Sequence, residues 1–335
     1  MTAPVTDRPP ELWHPALLYS DDDSYRTGVL DFVREGLERD EPVLVAVPEP
    51  RLSLLEAALD PAERWAVRTA DMSRAGRNPG RIIGSVLTAF VRQHEGRRVR
   101  IVGEPIWAGR SAEEYPACVE HEALINLALQ DAPVSILCPY DTAALGDEWV
   151  HDATRTHPVL IEGERRWHSR HYADPAVLAV TFARTLSPPP DEAAIQVVDA
   201  TGGPAAARRF VHEIAMQTSL STTRVADIRH VVQELVVNTL VHAGGRGLLT
   251  VWTTDEHLVC QVEDRGRLPD LLAGRRPPAP SDAGHGLYAV HQLADLVRVH
   301  RDGSGTTVRA YFAFARDVPA SMRVQHRPLE AATVC

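Results

Sequence analysis

Residues 222–245 read TTRVADIRHVVQELVVNTLVHAGG. Val225, Ile228, Val231, Val232, Leu235, Val236, Thr239 and Leu240 recur every three to four residues, which lays one apolar stripe along a helix. Thr222 and Thr223 are placed to cap its start, and Gly244 and Gly245 stop it after Ala243. Glu234, Asn238 and His242 stand four apart, so a carboxylate, an amide and an imidazole form a ladder on another face of the same helix. Alone, such a ladder reads as a solvated helix face.

The residues downstream give the ladder a context. Asp264 closes the apolar strand VCQVED and is followed by Arg265 and Gly266, a carboxylate at a strand end beside a residue that bends freely. The segment RRPPAPS, 275–281, reads as a loop, and Gly284 and Gly286 in GHGLYAV open a helix after it. Bare amides at a helix start suit a phosphate, because they are unpaired donors at the positive end of the dipole. Gly303, Gly305, Thr306 and Thr307 then turn into a last strand. Around these lie a strand AIQVV, a helix from Pro204 to Thr218, strands 247–254, 257–263, 297–300 and 306–314, and a helix over 286–294. The second half is therefore α+β, with helices layered on a mixed or antiparallel sheet.

The first half alternates short apolar runs with helical patterns from Trp13 to about Tyr172. VLVAV and VSILC lack polar alternation, as strands buried on both faces do, which predicts a doubly wound parallel sheet. Pro79 to His94 reads as one helix and Glu113 to Gln130 as another. LSPPPD, 186–191, stops both helix and central strand, so it marks the boundary. The expected layout is a first domain at 13–180, a linker at 181–193, a second domain at 194–316 and a tail at 317–335.

Composition narrows the chemistry. The 335 residues, 44% hydrophobic and 24% charged, suffice for two ordinary cores. A net charge of -10 leaves no basic footprint for gripping nucleic acid. All 35 basic residues other than histidine are Arg. Without lysine there is no Walker lysine, no strand lysine of the eukaryotic kinase kind and no pyridoxal phosphate Schiff base. Cys118, Cys138, Cys260 and Cys335 form no C-x-x-C pair, which argues against a structural zinc site and a disulfide framework and reads as reduced thiols. No signal peptide and no apolar run near 18 residues is visible, so the expectation is a cytoplasmic protein without a membrane partner.

In this order and spacing, ELVVNTLVHA, EDRGR, GHGLYAV and GSGTTV resemble the N box and three glycine boxes of the GHKL ATPases, the Bergerat-fold family of histidine kinases and anti-sigma-factor serine kinases. The resemblance covers about 194–314. It implies ATP and Mg as cofactors, Glu234 as general base, Asn238 on Mg, Asp264 on the adenine amino group, and Gly266, Gly284, Gly286, Leu287, Thr306 and Thr307 lining the nucleotide. Arg267 departs from it, since the first glycine box usually has a second glycine there. His242 reads as a helix-end imidazole. No phosphoacceptor hairpin precedes the domain, so the pattern is closer to an anti-sigma-factor serine/threonine kinase than to a sensor histidine kinase. It implies a sigma factor and a STAS-type anti-anti-sigma protein as partners, with a homodimer as an allowed assembly. The alternatives are an ATP-binding module that sequesters a sigma factor without turnover, and an orphan histidine kinase using His121 or His212.

HPALLYSD (14–21), VRIVGEPIW (99–107), EHEALIN (120–126), ILCPYD (136–141) and THP (156–158) resemble the MEDS sensory domain, regarded as a ligand-sensing relative of RecA-like folds. That implies a small-molecule ligand. His14, Glu104 and Tyr140 are the candidate contacts, with Trp107, Glu120, Asn126 and Asp141 also at strand ends or on one helix, where doubly wound folds place ligands.

Overall fold

A computed structural model describes residues 11–183, 186–278 and 285–314. The first part runs β1 (Leu12–Trp13), β2 (Pro15–Tyr19), α1 (Asp22–Glu38), β3 (Val43–Val47), α2 (Glu49–Ala58), α3 (Pro61–Ala66), β4 (Val67–Asp71), α4 (Met72–Ala75), α5 (Pro79–Ile82), α6 (Ala89–Gln93), β5 (Val99–Gly103), α7 (Tyr115–Ala128), β6 (Val134–Asp141), α8 (Asp147–Thr156), β7 (Val159–Glu162), β8 (Arg165–His168) and α9 (Pro175–Phe182). Its sheet has the order β4-β3-β5-β6-β2-β7-β8, with β1 beside β6, and every pair is parallel except β7–β8. His14 sits between β1 and β2, where Pro15 brings no amide donor to the ladder.

The uninterrupted apolar strands have the cause expected of them. Val43, Val45 and Val47 face α1 through Val29 and Val33, while Leu44, Ala46, Ile101 and Ile136 face α7. Residues Ala117 to Ile125 of α7 are all buried, Glu120, His121 and Glu122 included. The helix expected over 79–94 is interrupted: Ile83–Thr88 is a π turn between α5 and α6. Such widened turns cluster at functional contacts, and Gly84 within this one lies against the second domain, where an added Cβ would stand 2.9 Å from the Arg275 carbonyl oxygen.

The second part runs β9 (Ala194–Val198), α10 (Gly203–Ala215), α11 (Thr222–His242), β10 (Gly247–Thr253), β11 (His257–Asp264), α12 (His285–Leu293), β12 (Leu296–Arg301) and β13 (Thr306–Ala313). Its sheet, order β12-β13-β11-β10-β9, is antiparallel throughout. The stripe of α11 packs with α10 and α12 on one sheet face. Ser221 caps α11, one residue before the threonines expected to, its hydroxyl accepting from the Arg224 amide at 3.3 Å. Gly244 and Gly245 end the helix at φ of 75° and 78°, a conformation that costs glycine little. The other sheet face meets the first domain, where Ala117 of α7 joins Val259, Leu296 and Tyr311 in one apolar cluster. The expected tail at 317–335 lies outside the described residues.

Candidate functional site

Between α11, the ends of β11 and β13, and the start of α12 lies a cavity of about 760 Å³, within the range of small-molecule sites. Asn238, His242, Asp264, Gly266, Arg267, Gly286, Leu287, Thr306 and Val308 are among its walls. The Asp264 carboxylate accepts from the Thr239 hydroxyl at 2.7 Å and from the Gly266 amide at 2.8 Å, so its orientation is fixed by two donors. The Thr306 hydroxyl donates to the Gly266 carbonyl at 2.8 Å and ties the last strand to the same turn. Gly305 must be glycine, because a Cβ would stand 1.9 Å from the Asp264 carbonyl oxygen.

At the α11–α12 end the ladder meets the helix start. A Cβ on Gly286 would lie 2.9 Å from Glu234 Oε2 and 3.5 Å from Asn238 Oδ1, so carboxylate, amide and bare backbone share one spot. Glu234 Oε1 also has His230 Nε2 at 3.8 Å. Thr307 stands apart from this group: strand alternation turns Thr306 and Val308 to the cavity and Thr307 to the opposite face. Gly284 lies outside the described residues.

Residues 271–275, which follow the Gly266 turn, are docked on the first domain. Leu272 belongs to that domain's apolar cluster and Leu271 packs against it. Arg275, 1% exposed, pairs through Nη2 with Glu120 Oε2 of α7 at 2.7 Å. Asn78 Nδ2 donates to the His291 carbonyl at 2.8 Å, Ser85 donates to Gln292 at 2.8 Å, and Arg77 pairs with Asp295. Arg298 donates to the Glu113 carbonyl at 3.0 Å, and the Tyr311 hydroxyl bonds the Glu113 carboxylate. Sequence reasoning missed this interface. The available signal was EHE inside an otherwise apolar helix, which demands buried partners.

The three sensory candidates divide between two places. Glu104, at the carboxyl end of β5, accepts from the Tyr25 and Tyr19 hydroxyls at 3.3 and 3.5 Å. Burial raises its carboxyl to about 8, outweighing the nearby Arg51 guanidinium and the two phenols. His14 instead sits with Glu122, Cys138 and His157. His14 Nε2 and His157 Nε2 each lie 3.2 Å from Glu122 Oε2, and Cys138 Sγ is 3.3 Å from His14 Nε2 and 3.5 Å from Glu122 Oε2. Burial, with His157 beside it, pushes the His14 imidazole toward its neutral form. Tyr140 stands edge-on to His157, with centroids 5.5 Å apart, and its buried hydroxyl has no hydrogen-bond partner among the described residues. His121 is also inside, lowered to about 3 by burial.

The chain is thus a parallel α/β domain clamped onto a loop that borders the cavity of an α+β domain. Residues 13–158 match the family model of MEDS, the methanogen/methylotroph DcmR sensory domain. Residues 203–312 match that of the histidine kinase-like ATPase domain. The chain thus carries a MEDS domain followed by a histidine kinase-like ATPase domain, and the second implies ATP binding. No curated protein matches the chain. Among the described residues no helix is long and apolar enough to cross a membrane.

Proposed function

We propose that the protein is an ATP-dependent serine/threonine protein kinase of the anti-sigma-factor type, acting in the cytoplasm, whose lid is set by a small-molecule sensor domain. In this reading the first domain is RecA-like and the second a Bergerat fold; the parallel sheet with one antiparallel edge strand, and the helices on one face of an antiparallel sheet, support those assignments. The observation that carries the kinase reading is the meeting of Glu234, Asn238 and Gly286 beside a cavity whose walls include Asn238, Gly286 and Asp264. Asp264 has a fixed carboxylate for an adenine amino group. Asn238 offers an amide oxygen that fits Mg, which would neutralise charge on the transferring phosphoryl group. Glu234 is the group positioned to take the proton of an attacking hydroxyl, and the Gly286 amide, at a helix start, suits a phosphate.

Regulation follows from the lid. The 270–278 segment is gripped by α7 through Leu272 and the Arg275–Glu120 pair, so a ligand that alters the first domain alters the freedom of the lid. A sigma factor and a STAS-type anti-anti-sigma protein are the partners this reading calls for, the latter as phosphate acceptor. Arg267, exposed at the cavity wall, favours a second reading in which ATP is held without turnover and the domain sequesters its partner. The orphan histidine kinase loses one of its two candidates, because His121 is 1% exposed, while His212 on α10 is half-buried. The test is incubation with labelled Mg-ATP and candidate anti-anti-sigma proteins. Acid-stable phosphate on the partner supports the kinase, tight ATP binding without transfer supports sequestration, and no ATP binding overturns both.

A further inference from the structure

His14, Glu122, Cys138 and His157 come from four separate stretches of the chain, and their side chains meet in the first domain with essentially no exposure. Their donor atoms lie within 4.8 Å of one another. Zinc bound tetrahedrally at ordinary Zn–N, Zn–O and Zn–S lengths sets neighbouring donors roughly 3.3–3.6 Å apart. The four short separations here, 3.2, 3.2, 3.3 and 3.5 Å, have that spacing.

The surrounding hydrogen bonds fix which atoms face inward. Asn126 Nδ2 donates to the Thr156 carbonyl at 2.9 Å, so its Oδ1, 3.1 Å from His14 Nδ1, is an acceptor. His14 therefore carries its proton on Nδ1. His157 Nδ1 faces the Ala153 carbonyl at 2.9 Å, which can only accept, so it too is protonated on Nδ1. Each ring then turns its Nε2 to the same carboxylate oxygen of Glu122. Polar atoms that converge in a dry interior need a partner, and one cation serves all four at once. Neither His157 Nε2 nor Glu122 Oε1 has a hydrogen-bond partner among the described residues. An Nδ1–H held by a carbonyl is also the usual outer support of a metal-bound histidine.

We propose that these four residues form a metal site for a single zinc-class divalent cation. Two imidazoles and a thiolate select a borderline-soft ion over Mg or Ca. Binding converts the Cys138 thiol to thiolate and releases its proton to solvent. Two anionic and two neutral ligands around a dication leave the centre electrically neutral, which is the arrangement burial favours. The site shares no residue with the walls of the Asp264 cavity, and it does not rest on the kinase reading.

The test uses the untagged full chain, stripped with a chelator and titrated with Zn2+ alone, then with Co2+ as a spectroscopic probe. One Zn2+ per chain is expected, and Co2+ should give a thiolate-to-metal charge-transfer band that Cys138→Ala lacks. Zn2+ affinity should fall at least about tenfold in Cys138→Ala and in His157→Gln, with Mg-ATP calorimetry on each variant certifying the fold. If stripping unfolds the chain, refolding that requires Zn2+ supports the site and refolding without metal overturns it. No Zn2+ uptake by folded wild type, or unchanged affinity in both variants, also overturns it.

Discussion

Arg275 beside the Asp264 cavity and Glu120 in the central helix of the MEDS domain form an ion pair at 2.7 Å that is buried on both sides. Neither charge has water to fall back on. Removing one partner of such a pair costs about 3–5 kcal/mol, because the other is left uncompensated. Glu120→Gln should therefore lower the melting temperature and raise amide hydrogen exchange across 270–278. The double variant Glu120→Gln/Arg275→Met should recover most of the stability while leaving the lid loosened. Lid exchange equal to wild type in both variants would refute the clamp.

Asn238→Ala and Glu234→Ala should separate binding from transfer. The first removes the amide oxygen assigned to Mg and should abolish calorimetrically detectable Mg-ATP binding. The second should bind ATP within a few-fold of wild type yet lose phosphotransfer by roughly 10²–10⁴. Equal transfer rates in wild type and Glu234→Ala would remove Glu234 from the role of base.

Two glycines next to the cavity should respond differently to a methyl group. In Gly286→Ala the new Cβ meets a movable carboxylate at 2.9 Å, so the fold should survive while Glu234 is displaced and transfer falls. In Gly305→Ala it meets backbone at 1.9 Å, and the turn against Asp264 cannot form as it stands. Thermal melts beside ATP calorimetry distinguish the two; a Gly305→Ala protein as stable as wild type would contradict the geometry.

Stability should depend on pH through Glu104. Its folded pKa of about 8 stands above the ordinary carboxylate value, so the unfolded chain loses this proton first as pH rises. The stabilising contribution is complete below about pH 4 and drains away until pH 8, at up to about 1.4 kcal/mol per pH unit. Chemical denaturation at pH 5 and pH 8 should show the decline, and Glu104→Gln should flatten it. An identical slope in the variant would show that another group titrates.

Much of this was legible in the chain because local periodicity reports burial. The stripe of α11, the paired glycines after it and the unalternating runs of β3 and β6 each reflect which faces are covered. The turn at Asp264 and the start of α12 were legible because their chemistry requires glycine at set places. What escaped depends on distance in sequence. Nothing local separates a straight helix over 79–94 from one widened by a π turn, and the neighbours that Gly84 meets there, Arg275 and Tyr288, lie about 190 or more residues away. The spacing of the cysteines says nothing of the cluster in which Cys138 meets His14, Glu122 and His157, because these residues lie far apart in the chain. Thr306 and Thr307 could not be told apart until the register with Glu263 and Asp264 was known.

The enclosure of α7 has a mechanical consequence. Glu120 and Glu122 are two residues apart, about 200° around the helix, so one flank holds the arginine of the lid while the other holds the histidine and cysteine cluster. A buried cylinder gripped on both sides is a stiff beam: it turns or slides as a unit, without bending at one carboxylate and resting at the next. A push on one flank would therefore reach the other as displacement, and a single helical turn joins the two contacts.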